Sequence, residues 1–176
     1  MGGPSSEHDI SLMTGKNVLE GLMVAGHDAH PVYVTESGNW FLGAKRGVAY
    51  DPVDVCGRFD VMFNAMHGEY GEDGTVQTLL DKYRIRYTGS RAEASTIGMD
   101  KIQSFAAFRK AGLEIPAYEI IKSRMANLVL NVPLAVKPAD RGSSVGLSIV
   151  ENEDEIEKSL KLAFRYSKKV IVQKYV

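Results

Sequence analysis

Residues 60–80, DVMFNAMHGEYGEDGTVQTLL, join a short apolar run to a glycine-rich loop and the start of a helix. The run 60–65 is suited to a buried parallel strand. The loop from His67 to Gly74 follows this run, and Thr75 opens the helix. Because open α/β sheets bind ligands at the carboxyl ends of their strands, the loop is a candidate ligand site. A solvated loop with one capping residue is the alternative interpretation.

Strand and helix patterns alternate around this stretch. A helix is predicted to begin near Ser5, which can cap it, and to end at Gly26. Strands are predicted at 30–35 and 39–43, and a short one at 86–87. This alternation indicates a parallel α/β sheet.

The second half of the chain has a different character. Helices are predicted at 92–97, 100–111 and 154–166, and strands at 117–121, 134–137, 146–150 and 170–175. This pattern predicts a mostly antiparallel α+β unit. We therefore expect two domains, 1–99 and 100–176, with a boundary near Met99.

Composition excludes several classes of protein. The chain has 176 residues, a net charge of −1 and 44% hydrophobic residues, so neither nucleic acid nor an anionic membrane is expected as a partner. The single cysteine, Cys56, cannot form an internal disulfide and fits a reducing compartment. No apolar run approaches the ~20 residues that a membrane span needs, and no signal peptide is visible. We expect a cytoplasmic enzyme or binding protein.

Two further segments have the composition of ligand-binding loops. Residues 2–8, GGPSSEH, place glycines and a capping serine at a helix start, which suits either an anion site or a plain tight turn. Residues 135–146, AVKPADRGSSVG, place Lys137 on a strand beneath a glycine-serine loop, as a phosphate site requires. A β-hairpin with a flexible tip is the alternative for this segment. Lys101, near a helix start, is by itself best interpreted as a surface lysine.

Taken together and in this order, these segments resemble the D-alanine–D-alanine ligases, members of the ATP-grasp superfamily. The matching stretches are GGPSSEHDISLMTG, FNAMHGEYGEDGTVQTLL, YTGS, MDK, VKPADRGSSVG and IVQKYV. The resemblance implies an α/β fold with a parallel-sheet, Rossmann-like N-terminal domain. It also implies that the small α+β lobe of an ATP-grasp fold follows, and that the fold is incomplete at both ends.

The resemblance also implies a reaction. ATP phosphorylates the carboxylate of a first D-alanine, the amine of a second D-alanine attacks the acyl phosphate, and phosphate leaves. The dipeptide product enters peptidoglycan precursors for the cell wall. The cofactors implied are ATP and Mg²⁺ or Mn²⁺, and the complete protein is expected to be a homodimer.

The same resemblance implies roles for individual residues. Glu7 would hold the ammonium of the first D-alanine, and His67 would lie beside that substrate. Ser143 would hydrogen-bond Glu7, which makes Glu7 and Ser143 the catalytic candidates. The expected ATP contacts are Lys101, Lys137, Ser144, Gln173, Lys174 and Val176.

The chain departs from the family pattern in several places. The family has glutamate where this chain has Gln173, which can still accept a hydrogen bond from the adenine amino group. The stretch between Tyr118 and Pro133 is short, and the strand expected before Gly2 is missing. The chain ends at Val176, ahead of the region that carries the family's metal ligands. We therefore expect a fragment without a metal site that is inactive alone.

Two other interpretations remain open from the sequence. The chain could be a non-catalytic module that binds a nucleotide or an amino acid. It could also come from a relative that makes D-alanine–D-lactate or D-alanine–D-serine.

Overall fold

The computed structural model describes residues 1–43, 47–123 and 126–176. The chain forms two compact units, Met1–Thr96 and Ile97–Val176. Helices and strands mix in the order expected from the sequence, so the α/β class is confirmed. The domain assignment with a boundary near Met99 stays a prediction. Part of the shortened stretch between Tyr118 and Pro133 lies outside the described residues.

The first unit contains short strands and helices linked by long loops. Its elements are α1 (His8–Val24), β1 (Val32–Val34), β2 (Trp40–Leu42), α2 (Pro52–Cys56) and α3 (Thr75–Lys82), with α4 (Ala92–Met99) at its end. The sequence did not predict α2. Asp51 caps this helix by accepting from the Val53 N–H, and Pro52 occupies its first turn, which is a favourable place for proline.

Among the described residues of this unit, parallel pairing is limited to isolated bridges. Gly2 bridges Val34, and Met62 bridges Tyr87, both in parallel. The expected strand at 60–65 is therefore present only as the bridge at Met62. The named strands β1 and β2 pair antiparallel instead. They do so because a tight turn joins them, closed by the Thr35 N–H donating to the Asn39 carbonyl over 2.9 Å.

A single apolar cluster forms the core of the first unit. Its buried members are Val32, Val34, Trp40, Val55, Cys56, Met66, Val76 and Leu80. Burial raises the pKa of the Cys56 thiol to about 11, which makes it an unreactive core residue. Beside this core, a cavity of about 570 Å³ is lined by Met1, β1, the inner side of α1 and residues 58–66.

The second unit is a four-stranded antiparallel sheet, as the sequence predicted. Its elements are α5 (Lys101–Lys110), β3 (Tyr118–Ile121), β4 (Leu134–Pro138), β5 (Ser148–Val150), a 3₁₀ turn (Glu153–Glu155), α6 (Ile156–Ala163) and β6 (Val170–Lys174). The strand order is β3-β6-β4-β5. Leu160 and Ala163 of α6 pack with Val136, Val150 and Val172 on one face of the sheet.

The opposite face of this sheet is open only at its edge strands, because Ile171 at its centre is fully buried. Residues directly opposite each other in an antiparallel pair share a face. Lys137 is opposite Ile171, which is in turn opposite Ile120. Ile120 and Ile149 on this face remain 39% and 42% exposed. The second unit thus presents a partly exposed apolar surface that includes a lysine.

Candidate substrate and nucleotide sites

Glu7 lies at the N-terminus of α1 and faces the glycine-rich loop. Its N–H donates to the Ser5 hydroxyl over 3.0 Å. A Cβ atom placed on Gly68 would lie only 2.7 Å from the Glu7 Oε2 atom, so the carboxylate touches the loop backbone. No cation among the described residues lies within salt-bridge distance of this carboxylate. A half-buried carboxylate without a cation is suited to bind an ammonium group.

His67 is fixed to α1 by two hydrogen bonds. Its Nε2 atom lies 2.8 Å from the Thr14 hydroxyl, and its backbone N–H donates to the Ser11 hydroxyl over 2.8 Å. The Ser11 hydroxyl in turn donates to the Glu7 carbonyl. On the other side of the ring, Nδ1 lies 3.7 Å from a Glu72 carboxylate oxygen. The structure therefore brings Glu7 and His67 together in one cluster.

The loop that carries His67 is held by its own acidic residues. Glu72 accepts from the Gly68 N–H over 2.7 Å, and Asp73 accepts from the N–H groups of Tyr70 and Thr75 over 2.9 Å each. Burial opposes the ionisation of Asp73, but these hydrogen bonds together lower its pKa. Glu72 and Asp73 thus shape the loop.

Sequence reasoning missed Ser11 and Thr14 as partners of His67. Both hydroxyls lie on the side of α1 that carries Glu7, because positions i, i+4 and i+7 of a helix share a face. The polar spacing Glu7, Ser11, Thr14 was the available signal. This spacing indicates partners of His67 only when the loop is seen to pack against that side of α1.

Lys101 opens α5 and is not the plain surface lysine that its sequence position suggested. Asp100 caps the helix by accepting from the N–H groups of Ile102 and Gln103. The Lys101 N–H donates to the Ala139 carbonyl over 2.8 Å, and its ammonium donates to the Arg141 carbonyl over 2.5 Å. The Lys101 side chain is therefore fixed against the loop after β4.

Lys137 is the second cation of this region. Burial lowers the pKa of Lys137. Burial also lowers the pKa of Lys101, and the charge of Lys137 lowers it further. Within the described part of the chain, neither ammonium has a carboxylate within salt-bridge distance. The charges of Asp140 and Asp100 act on Lys101 in the opposite direction and raise its pKa. Two half-buried lysines that repel each other beside the loop after β4 are suited to bind an anion.

The loop with Ser143 and Ser144 follows these lysines. Ser143 adopts φ 51°, a left-handed conformation that is uncommon for residues other than glycine. Both serines are exposed, and the Ser144 carbonyl accepts from the Leu147 N–H over 3.1 Å. A Cβ atom on Gly146 would lie 2.8 Å from the Tyr166 ring and 2.9 Å from Pro138, so only glycine fits there. The expected hydrogen bond from Ser143 to Glu7 stays a prediction.

The expected adenine residues lie at the end of β6. Gln173 is opposite Tyr118 on β3 and Ala135 on β4. Its Oε1 atom is buried and has no hydrogen-bond partner. Lys174 and Val176 are exposed. Gln173 therefore shares a strand end with these two residues and a sheet face with Lys137.

The described residues contain neither a metal-binding cluster nor a membrane-spanning helix. In the described ranges, no group of three or more His, Cys, Asp or Glu side chains is placed to hold a metal ion. No described helix is both long enough and apolar enough to cross a membrane.

The chain is a mixed α/β protein with a carboxylate–imidazole cluster in one unit and a pair of half-buried lysines in the other. Two family models match the chain. The one described as "D-ala D-ala ligase N-terminus" matches residues 1–53 and 44–90, and "D-ala D-ala ligase C-terminus" matches residues 93–176. The chain belongs to the D-alanine–D-alanine ligase family.

Individual relatives agree with this assignment. The D-alanine–D-alanine ligases of Geotalea uraniireducens and Thermotoga maritima are 39% and 40% identical to this chain. Each match covers 100% of this chain and 54% of the relative. The chain thus spans about half the length of these curated relatives.

Solved structures give the same family. The D-alanine–D-alanine ligase of Helicobacter pylori matches all of this chain and 62% of its own, with a TM-score of 0.81 and 25% identity. The VanG D-Ala:D-Ser ligase of Enterococcus faecalis matches all of this chain and 61% of its own, with a TM-score of 0.83 and 26% identity.

Proposed function

We propose that this protein serves ATP-dependent synthesis of D-alanyl-D-alanine for peptidoglycan precursors in the cytoplasm. The single observation that carries the proposal is the family match along the whole chain. Each half of the reaction has support in one of the two sites. An amino acid needs a partner for its ammonium, and ATP needs cations for its phosphates.

Glu7 and His67 are proposed to receive the first D-alanine. The Glu7 carboxylate binds the substrate ammonium through a charge-assisted hydrogen bond. His67 lies beside the substrate, oriented by Thr14 and Ser11. The substrate carboxylate then attacks the terminal phosphorus of ATP, which releases ADP and gives an acyl phosphate.

The paired lysines are proposed to hold the phosphates of ATP. Lys101 and Lys137 offset the negative charge of the phosphate oxygens, and the pKa of each lysine rises when that charge arrives. The backbone and hydroxyl groups around Ser143 and Ser144 donate to the same oxygens. Gln173, Lys174 and Val176 contact the adenine.

Magnesium would offset the charge on the transferring phosphoryl group in such a reaction. In the described ranges, no group of three or more His, Cys, Asp or Glu side chains is placed to hold this ion. The isolated chain, which spans about half the length of its curated relatives, is proposed to lack ligase activity. The homodimer expected from the family is proposed for the complete protein.

A chimera tests the proposed activity. This chain would replace the matching part of the Thermotoga maritima ligase, to which it is 40% identical. With ATP, Mg²⁺ and D-alanine, the chimera should release phosphate and form dipeptide, whereas the isolated chain should release none above background. A Lys137→Gln chimera should lose both products, while a control with Lys158→Gln, an exposed residue of α6, should keep them. A folded chimera that makes no dipeptide would contradict the proposal.

A second product has specific support. The D-Ala:D-Ser ligase structure matches this chain as well as the D-alanine–D-alanine ligase structure does. The dipeptide assay should therefore be repeated with D-serine and D-lactate as competing acceptors. Preferential D-alanyl-D-serine formation by the protein's own complete form would favour this second candidate.

A further inference from the structure

The cavity of about 570 Å³ in the first unit lies between two extended segments of backbone. One wall is β1 with Met1, and the other is formed by residues 60–65. Its volume is within the range of about 300–1,000 Å³ that ligand pockets occupy. Apolar residues form most of its lining. The cavity therefore suits an apolar occupant, and the backbone of its walls indicates which kind.

The edge of β1 that faces the cavity presents a backbone donor next to Met1. The Gly43 N–H donates to the Pro31 carbonyl, so the odd-numbered residues around β1 bond towards β2. Alternate residues of such a strand bond to opposite sides. On the cavity side, the Met1 ammonium donates to the Val32 carbonyl, and the Val34 N–H donates to the Met1 carbonyl. Towards the start of β1, the hydrogen bonds between described residues on this edge stop at Met1, so the Val32 N–H faces the cavity.

Residues 61 and 63 present the second edge of the cavity. The Met62 N–H donates to the Arg86 carbonyl over 2.8 Å, and the Met62 carbonyl accepts from the Thr88 N–H over 3.0 Å. In an extended segment, the residues on either side of Met62 direct their backbone groups the other way. No described residue bonds to the backbone of Val61 or Phe63, and both residues line the cavity. The cavity is therefore a gap between two strand edges.

Two helices line the gap with apolar side chains. α1 contributes Val18, Leu19 and Leu22, and α3 contributes Val76 and Leu80. Only the α3 residues belong to the core cluster of this unit, so α1 borders the gap separately. A strand covered by helices on both faces carries a continuous apolar run, whereas a half-exposed strand alternates. The occupant that fits is therefore an extended segment of consecutive apolar residues.

The Met1 ammonium marks one end of the gap. Gly2 pairs with Val34 in parallel, so a strand in line with residues 1–3 would run parallel to β1 and end at Met1. In the polypeptide 1–176, no described carboxylate lies within salt-bridge distance of this ammonium. A terminal carboxylate at this end of the gap would supply the opposite charge.

We propose that the gap binds an extended apolar peptide as a strand parallel to β1, with the terminal carboxylate of the peptide at the Met1 ammonium. The peptide backbone bonds to Val32 on one side and to Val61 and Phe63 on the other, as when a strand is added to a sheet edge. A segment of about five residues, the usual length of a strand, occupies the gap. Its valine and isoleucine side chains contact α1 and α3.

Titration of the ¹⁵N-labelled polypeptide 1–176 with a synthetic peptide, followed by two-dimensional NMR, tests this inference. The probe has an acetylated start, two lysines for solubility, five alternating valines and isoleucines, and a free terminal carboxylate. The titration is run at about pH 5.5, because burial lowers the pKa of the Met1 ammonium to about 6. The amides of Val32, Val61 and Phe63 should shift and should exchange more slowly with solvent.

A second peptide tests the placement of the carboxylate on the unaltered chain. Amidation of the peptide terminus should weaken binding by about tenfold or more, because a hydrogen bond between charged groups is lost. Equal affinities of the two peptides would overturn the proposed placement. Unshifted Val61 and Phe63 amides at millimolar peptide would overturn the site itself.

Two variants of α1 form a matched pair. Leu22→Lys places an ammonium in the cavity wall and should abolish peptide binding. Met23→Lys changes an exposed residue that does not line the cavity, so it should retain binding. Circular dichroism melts report whether each variant is folded, and binding by a folded Leu22→Lys variant would overturn the inference. A dimer in which the amides of Val61 and Phe63 are already protected would also overturn it, because a second copy of the chain would then occupy the gap.

Discussion

Glu7 combines partial burial with a negative charge that no described cation offsets. Its place at the N-terminus of α1 makes that charge tolerable, because a helix N-terminus stabilises anions. A ligand ammonium would complete the site. The proposed amino-acid site therefore depends on one carboxylate and on the loop that packs against it.

Replacing this carboxylate should weaken D-alanine binding. Gln is nearly isosteric with Glu but carries no charge, and a hydrogen bond to a charged group contributes about 1.5–3 kcal/mol. Glu7→Gln should accordingly raise the dissociation constant for D-alanine by roughly tenfold or more, as measured by titration of the isolated chain. Glu20→Gln is the matched control, since Glu20 lies exposed on the same helix beside Lys16. Equal affinities for the two variants would argue against the role of Glu7.

At the scale of the element, the glycine-rich loop depends on glycine for its close packing. Gly74 has φ +94°, and a Cβ atom there would lie 2.2 Å from the Thr96 hydroxyl and 2.7 Å from the Ala92 carbonyl. The Thr96 hydroxyl donates to the Asp73 carbonyl. The connection between the loop and α4 thus requires a residue without a side chain.

Gly74→Ala should lower the free energy of unfolding by at least about 2 kcal/mol, because left-handed strain and a steric clash add together. Denaturant unfolding measures this directly. Gly21→Ala is a control that should change stability in the opposite direction. Gly21 lies within α1, with nothing within 4 Å of its Cβ position. That change should stabilise the chain by roughly 0.5–1 kcal/mol. A neutral Gly74→Ala variant would contradict the packing described here.

Some helices and strands could be predicted from the sequence, and others could not. The strands of the second unit were predictable because their apolar runs are bounded by turns, and β4 and β6 appear where expected. The strand predicted at 60–65 is reduced to a bridge, since its pairing is limited to the contacts of Met62 with Arg86 and Thr88. The five-residue α2 was missed because its burial of Val55 and Cys56 depends on the folded core.

The candidate site residues likewise include some that the sequence indicates and some that it does not. Lys137 and the serines after it were proposed as a phosphate loop from residue type and order, and that role stays a prediction. The hydrogen bond between Thr14 and His67 joins residues 53 positions apart, and no local pattern reports such a distance. The orphan oxygen of Gln173 was likewise invisible, since a missing partner is a property of the packed structure.

At the scale of the whole chain, the Met1 ammonium of the isolated polypeptide 1–176 links folding to pH. The Met1 ammonium donates to the Val32 carbonyl over 2.8 Å, continuing the parallel pairing with β1. Burial lowers the pKa of this ammonium from 8.0 to about 6. The folded chain therefore releases a proton at lower pH than the unfolded chain does.

Stability should consequently rise between pH 6 and pH 8. In this window the unfolded state binds more protons, so the free energy of unfolding increases by roughly 2–3 kcal/mol as the pH rises. Below pH 6 both states are protonated and this contribution is flat. Denaturant unfolding at several pH values, on chain verified by mass to retain Met1, measures the slope. An N-acetylated chain keeps the N–H donor but cannot titrate, so it should lack this contribution, and identical slopes for the two chains would refute it.

The central claim is that residues 97–176 contain a nucleotide site built on Lys101, Lys137 and the loop at 142–146. Its most direct test is a titration of the ¹⁵N-labelled chain with ATP, followed by two-dimensional NMR. The account predicts that amides of 142–146 and of the end of β6 shift, that α6 stays unperturbed, and that Lys137→Gln removes the shifts while Lys158→Gln retains them. No shifts at millimolar ATP, or the same shifts in the Lys137→Gln variant, would contradict it.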